Sequence, residues 1–209
     1  MPTPTAPGRD NQRRRTRKDL LAAAARLLKR GEAPDMDDVA KEALVSRATA
    51  YRYFPSIEAL LAEAPLDGAT PDPLALFAGD PSTDPVQRVD KAEAALHDIV
   101  YRNVAQLRVM LAASLERKFS GNQQADSEIP VRQNRRTPLI EAALAPARDR
   151  FTDQAYDDLR AALALVFGTE SMIVFTDVLG VEEPTARRVK SWAARALVRA
   201  ALDESARAG

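Results

Sequence analysis

An all-α fold follows from three observations on the 209 residues. Apolar positions recur at helical spacing through most of the chain, no stretch alternates in the manner of a strand, and capping residues stand where the periodic stretches begin. Two parts are expected: an N-terminal three-helix domain containing a helix-turn-helix, and a larger helical domain after it. No internal repeat is visible.

Residues 1–15 are expected to form a flexible basic arm, because Met1 to Gly8 is rich in Pro and Thr without an apolar period. Arg9, Arg13, Arg14, Arg15, Arg17 and Lys18 cluster in and just after this arm against only Asp10 and nearby Asp19. Thr16-Arg17-Lys18-Asp19 resembles a capping box that opens a helix, with Leu20, Ala24, Leu27 and Leu28 facing inward and Gly31 ending it. Asp35 is placed as the N-cap of a short second helix with Met36, Val39, Ala40 and Ala43 at helical spacing. Leu44 and Val45 separate it from a third helix, whose first amides Ser46 can cap. Residues 16–64 therefore read as one small helical domain.

A short positioning helix, a tight turn and a capped helix make the arrangement of a DNA-reading helix-turn-helix. The tip of the third helix carries Arg47, Ala48 and Thr49. Arginine can fork onto guanine O6 and N7, and threonine offers a hydroxyl and a methyl to base edges. Tyr51 and Tyr53 offer hydroxyls to phosphate, Arg52 adds charge, and a basic arm including Arg15 can follow the backbone or enter the minor groove. The expected contacts to double-stranded DNA are Arg15, Ser46, Arg47, Ala48, Thr49, Tyr51, Arg52 and Tyr53. Periodicity alone leaves a second reading open, a structural module with packed tyrosines and solvated arginines; for the arm the alternative is a solubilising tail.

Over roughly residues 16–62 the pattern resembles the TetR family of bacterial one-component transcriptional regulators. The residues that carry it are Val39-Ala40, Ala43, Val45-Ser46, Thr49, Tyr51, Tyr53-Phe54, Ser56, Glu58, Leu60 and Leu61. Two positions depart: Leu44 stands where the family usually has the glycine of the turn, and Ile57 where it often has a phosphate-touching lysine. The resemblance implies a homodimer on a palindromic operator. It also implies a second domain enclosing a small molecule, whose binding changes the separation of the two recognition helices.

Pro65, Pro71, Pro73, Pro81 and Pro85 with Gly68 and Gly79 predict an irregular connector over 65–84, with one short turn around Leu74, Leu76 and Phe77. The second domain then spans 85–209. Asp84 and Pro85 predict a helix to about Arg102 with Val89, Ala92, Leu96, Ile99 and Val100 along one side. A helix over about 105–119, a polar stretch, and a helix opened by Pro138 follow. Residues 153–179 read as one long apolar helix. The last helix, about 184–204, carries a small-residue stripe of Ala186, Val189, Ala193, Ala196, Leu197 and Ala200.

The last two helices offer faces for a four-helix dimer interface, with Trp192 near the seam or in ordinary packing. Tyr101, Met110, Phe119, Phe167, Met172 and Phe175 are candidates to line an apolar effector pocket, or simply core. Glu170 and Asp177 lie seven apart on one helical face, as ion-pair partners of Arg135 or Arg136 or as a polar anchor.

Formal charge is zero, with 30 basic and 30 acidic residues, so any nucleic-acid surface depends on local clustering. The chain has no cysteine, which excludes disulfides, thiolate metal sites and thiol nucleophiles and fits a reducing cytoplasm. No signal stretch or run of about 18 apolar residues points to export or a membrane. The sole histidine, His97, lacks a motif partner, and no phosphate loop or nucleophile elbow occurs, so no catalytic residue, metal or cofactor is expected. The expected protein is a cytoplasmic transcriptional regulator, a repressor released by a largely apolar effector. The alternatives are an architectural DNA binder without ligand and an enzyme using the second domain's cavity.

Overall fold

The computed structural model describes residues 7–119 and 134–208, and every element among them is helical. These residues divide into two compact units, 7–69 with 105–119 and 70–104 with 134–208.

In the first unit, α1 (Pro7–Lys29) precedes α2 (Met36–Glu42), α3 (Arg47–Tyr53) and α4 (Ile57–Ala69). α1 packs on α4 and α2, and α2 on α3, around Leu20, Leu21, Leu27, Met36, Val39, Phe54 and Leu60. Leu28, expected inside, is 36% exposed. Arg17 clasps the unit: it donates to Glu63 Oε2 at 2.6 Å and to the Tyr53 carbonyl at 3.1 Å, with its guanidinium 4.2 Å from the Phe54 ring centroid. Both members of the pair are buried, so each depends on the other for its solvation.

Two helix boundaries differ from expectation. α1 starts at Pro7, so residues 7–15 are helical instead of an irregular arm, and residues 1–6 lie outside the described residues. Proline suits a first turn, and Thr16 lies inside the helix, its hydroxyl donating back to the Gln12 carbonyl at 3.1 Å. α4 continues through Pro65 because the buried stripe of Leu60, Ala64 and Leu66 extends past it, and this burial offsets the missing amide. The connector thus shortens to about 70–84. α7 (Val104–Phe119) also departs from the expected division, since from Ala105 onward it groups with the first unit.

The second unit holds α5 (Pro73–Leu76), α6 (Pro85–Arg102), α8 (Arg136–Leu144), a tightened segment Ala145–Arg150, α9 (Asp153–Val166), α10 (Thr169–Ile173), a wide turn Val174–Val178 and α11 (Glu183–Ala208). α6 begins as its sequence predicts. The Asp84 side chain accepts from the Val86 amide at 2.9 Å, and Val89, Ala92, Leu96, Ile99 and Val100 are all buried. α6 packs against α11 and α8, and α9 against α11 and α8. Arg88 donates to the Ala142 and Ala143 carbonyls, both at 3.0 Å, satisfying the end of α8, and lies 4.0 Å from the Phe77 ring.

The single helix expected over 153–179 is broken. Gly168 takes φ +98, and the helical segments on either side meet at 46°. A Cβ at this glycine would come within 2.9 Å of Arg136 Nη2, whose Nη1 donates to the Ala164 carbonyl at 2.7 Å. No single described helix is long and apolar enough to cross a membrane; only this bent pair meets length and composition together. α11 buries Ala186, Lys190, Ala194, Val198 and Ala201, a register displaced from the expected stripe. The cause is Lys190, whose Nζ lies 2.6 Å from Glu93 Oε1 on α6 with both side chains 1% exposed. Trp192, Ala196 and Ala200 fall on the opposite, exposed face.

Candidate nucleic-acid interface

α2 is held by a reciprocal cap. Asp35 Oδ1 accepts from the Asp38 amide at 2.9 Å, and Asp38 Oδ2 accepts from the Asp35 amide at 3.0 Å. The hydrogen bond donated by the Asp38 amide holds the Asp35 carboxyl below its ordinary range. After α2 the chain reverses through Leu44 at φ +57, closed by the Val45 amide donating to the Ala40 carbonyl at 2.9 Å. Leucine therefore adopts the left-handed conformation that glycine takes without strain, at a cost of about 1 kcal/mol.

Ser46 caps α3: its Oγ accepts from the Thr49 amide at 3.1 Å and shares a hydrogen bond with Thr49 Oγ1 at 2.9 Å. The Thr49 hydroxyl is thus engaged locally. Arg47 Nη1 donates to Asp37 Oδ2 at 2.9 Å, and the guanidinium lies 5.5 Å from the Tyr51 ring centroid. The Tyr51 hydroxyl first and Asp37 second hold Arg47 above its ordinary pKa. Ser46, Arg47, Ala48, Tyr51 and Arg52 are exposed and Thr49 is half-buried, so the structure brings these six onto one short helix and its cap.

Tyr53 differs from its neighbours on α3. It is 3% exposed and belongs to the core, because it follows Ala50 by three residues on the inward face of α3. Its ring packs within the domain instead of standing on the surface. Arg15 is exposed on α1, whereas Arg17, counted with the basic cluster, serves the internal clasp. Ile57, at the position of the family's lysine, packs against the core. Asp37, which holds Arg47, was not anticipated; its spacing of ten residues from Arg47 across a turn has no sequence signature.

The effector candidates are divided. Met110 lies in the first unit, and the Phe119 side chain lies outside the described residues. Tyr101, Phe167, Glu170, Met172 and Phe175 lie in the second. Phe167 and Met172 are fully buried, Phe175 is half-buried in the wide turn, and Glu170 pairs with Arg136 at 2.5 Å. Tyr101 stacks on His97 with centroids 4.3 Å apart, and its buried hydroxyl has no hydrogen-bond partner among the described residues.

Beside Tyr101 lies a buried polar cluster of Glu93, His97 and Lys190. His97 Nδ1 is 3.4 Å from Lys190 Nζ, and Nε2 is 3.4 Å from Glu183 Oε1. Burial, followed by Lys190 and Arg187, pushes the His97 pKa down to about 4. Burial also moves Glu93 up and Lys190 down. The signal available in sequence was the spacing of four between Glu93 and His97, both on the face of α6 that carries Val89, Leu96 and Val100.

Residues 20–64 match the family model described as bacterial regulatory proteins, tetR family. No curated protein matches the chain. The matched segment covers the C-terminal part of α1, the capped pair α2 and α3 with its Leu44 turn, and α4 as far as Ala64. The N-terminal helix-turn-helix domain is thus that of the tetR family of bacterial regulatory proteins, which supports a DNA-binding transcriptional regulator of this family.

Proposed function

We propose that this regulator is a repressor that binds a palindromic operator as a homodimer and leaves it when a small molecule binds. The observation that carries this reading is the tip of α3, where Arg47 and Ala48 stand exposed at the first turn of a capped helix with Tyr51 and Arg52 beside them. Arg47, Ala48 and Thr49 read base edges in the major groove. Tyr51, Arg52, the Ser46 cap and Arg15 meet the phosphates and set the register. Two copies reading successive major grooves require a twofold axis, and the exposed Trp192 face of α11 with the exposed Leu165 of α9 supports an interface through these helices.

The second unit supplies the effector reading. The unpartnered Tyr101 hydroxyl is the polar anchor we favour, with Phe167, Met172 and Phe175 as apolar surroundings that rearrange to admit a largely apolar molecule. Release is a population shift: the effector binds the released form more tightly than the operator-bound form, by a coupling of about 1 to 3 kcal/mol.

The test is selection of bound sequences from random duplex DNA with purified protein at moderate and high salt. A palindromic consensus with steeply salt-dependent affinity is expected. No enrichment over random duplex would overturn the operator reading.

A further inference from the structure

We propose that Asp37, in the first turn of α2, is a positioning residue that sets the base preference of Arg47. Its carboxylate does not serve the α2 cap, which Asp35 and Asp38 complete between themselves. Instead Asp37 Oδ2 accepts from Arg47 Nη1 at 2.9 Å across the turn, while the Tyr51 ring lies 5.5 Å from the guanidinium. The Arg47 side chain is 63% exposed and that of Asp37 37%, and an ion pair this open to water adds little to stability.

Its effect is on orientation. A long arginine at a helix tip has many rotamers, and beside DNA its default partner is the nearest phosphate, a contact without sequence information. Asp37 limits that freedom in two ways: it holds Nη1, leaving the remaining donors of the rigid guanidinium for a base edge, and its negative charge repels phosphate from the same spot. Asp37 itself touches no base. The arrangement trades non-specific affinity for discrimination.

This inference rests on Arg47 reading a base. The experiment measures binding of the wild type, Asp37→Asn, Arg47→Ala and the double variant to the selected operator, to its single-base variants and to random duplex. Arg47→Ala is expected to lose about tenfold discrimination at one base position of each half-site. Asp37→Asn is expected to lose about fivefold at the same position, to bind random duplex more tightly, and to cause no further loss of discrimination in the Arg47→Ala background. Wild-type discrimination in Asp37→Asn, or an equal loss for every sequence, would overturn the inference while leaving Arg47 as a reader. Unchanged discrimination in Arg47→Ala would remove the base reader itself, and the inference with it.

Discussion

Leu44 combines a left-handed backbone with a side chain 93% exposed, so glycine there relieves strain without opening a cavity. Leu44→Gly is expected to raise stability by about 0.5 to 1 kcal/mol, with the greater freedom of glycine in the unfolded chain taking back part of the gain. A urea midpoint at or below that of the wild type would mean that the turn carries no strain. His97 makes a second residue-scale case. Its ordinary pKa of 6.5 falls to about 4 in the fold, so between these values the unfolded chain binds more protons. The contribution of His97 is therefore complete above about pH 6.5 and declines as pH falls towards 4. Glu93, raised by burial, gives the opposite slope above the ordinary carboxylate range, so the informative quantity is a difference between proteins. His97→Gln is expected to unfold with a flatter pH dependence between 6.5 and 4; a slope equal to that of the wild type would assign the decline to other groups.

Among the elements, α1 and α4 are joined by the buried Arg17 and Glu63 pair. Arg17→Met strands the carboxylate and is expected to cost about 3 to 5 kcal/mol, while Arg17→Met with Glu63→Leu recovers most of that loss. Urea unfolding of the two variants decides it, and a double variant no more stable than the single would sink the account. This clasp also marks how far the elements were legible. The α2 cap, the Ser46 cap of α3 and the inward stripe of α6 rest on spacing along one helix, and the sequence displays that directly. Arg17 read as part of a basic arm because its partner Glu63 lies 46 residues away. The α11 register is hidden from the sequence for the same reason, since Lys190 has the pattern of a surface residue until Glu93 faces it. Local signals likewise overstated the stop at Pro65 and missed the break at Gly168, where burial beyond the proline and Arg136 on another helix decide the outcome. At the candidate interface, exposed Arg47, Ala48, Tyr51 and Arg52 follow from helical phase, and so does buried Tyr53, because Ala50 three residues before it marks the inward face.

The molecule as a whole faces a constraint that neither unit meets alone: a single helix-turn-helix reads one half-site, and the proposed operator affinity needs two copies held by a twofold axis. The second unit carries exposed apolar side chains that fit the proposed interface. Trp192 is 65% exposed, Leu165 77%, Val178 73% and Leu179 58%. Large aromatic side chains dominate association energies where they become buried, and small neighbours such as Ala196 and Ala200 let two helices approach closely. Because α11 turns its Lys190 face towards α6, the Trp192 face can change without disturbing the buried Glu93 pair. Trp192→Glu is therefore expected to keep the fold and its melting profile at the monomer level, but to weaken dimerisation by about 2 kcal/mol or more. Sedimentation should then show monomer at concentrations where the wild type is dimeric. Affinity for the full palindrome should fall towards that for an isolated half-site, whereas binding to the half-site itself should stay constant. A Trp192→Glu protein that remains dimeric would move the interface away from this face. One that becomes monomeric yet binds the palindrome at wild-type strength would separate operator affinity from dimerisation through α11.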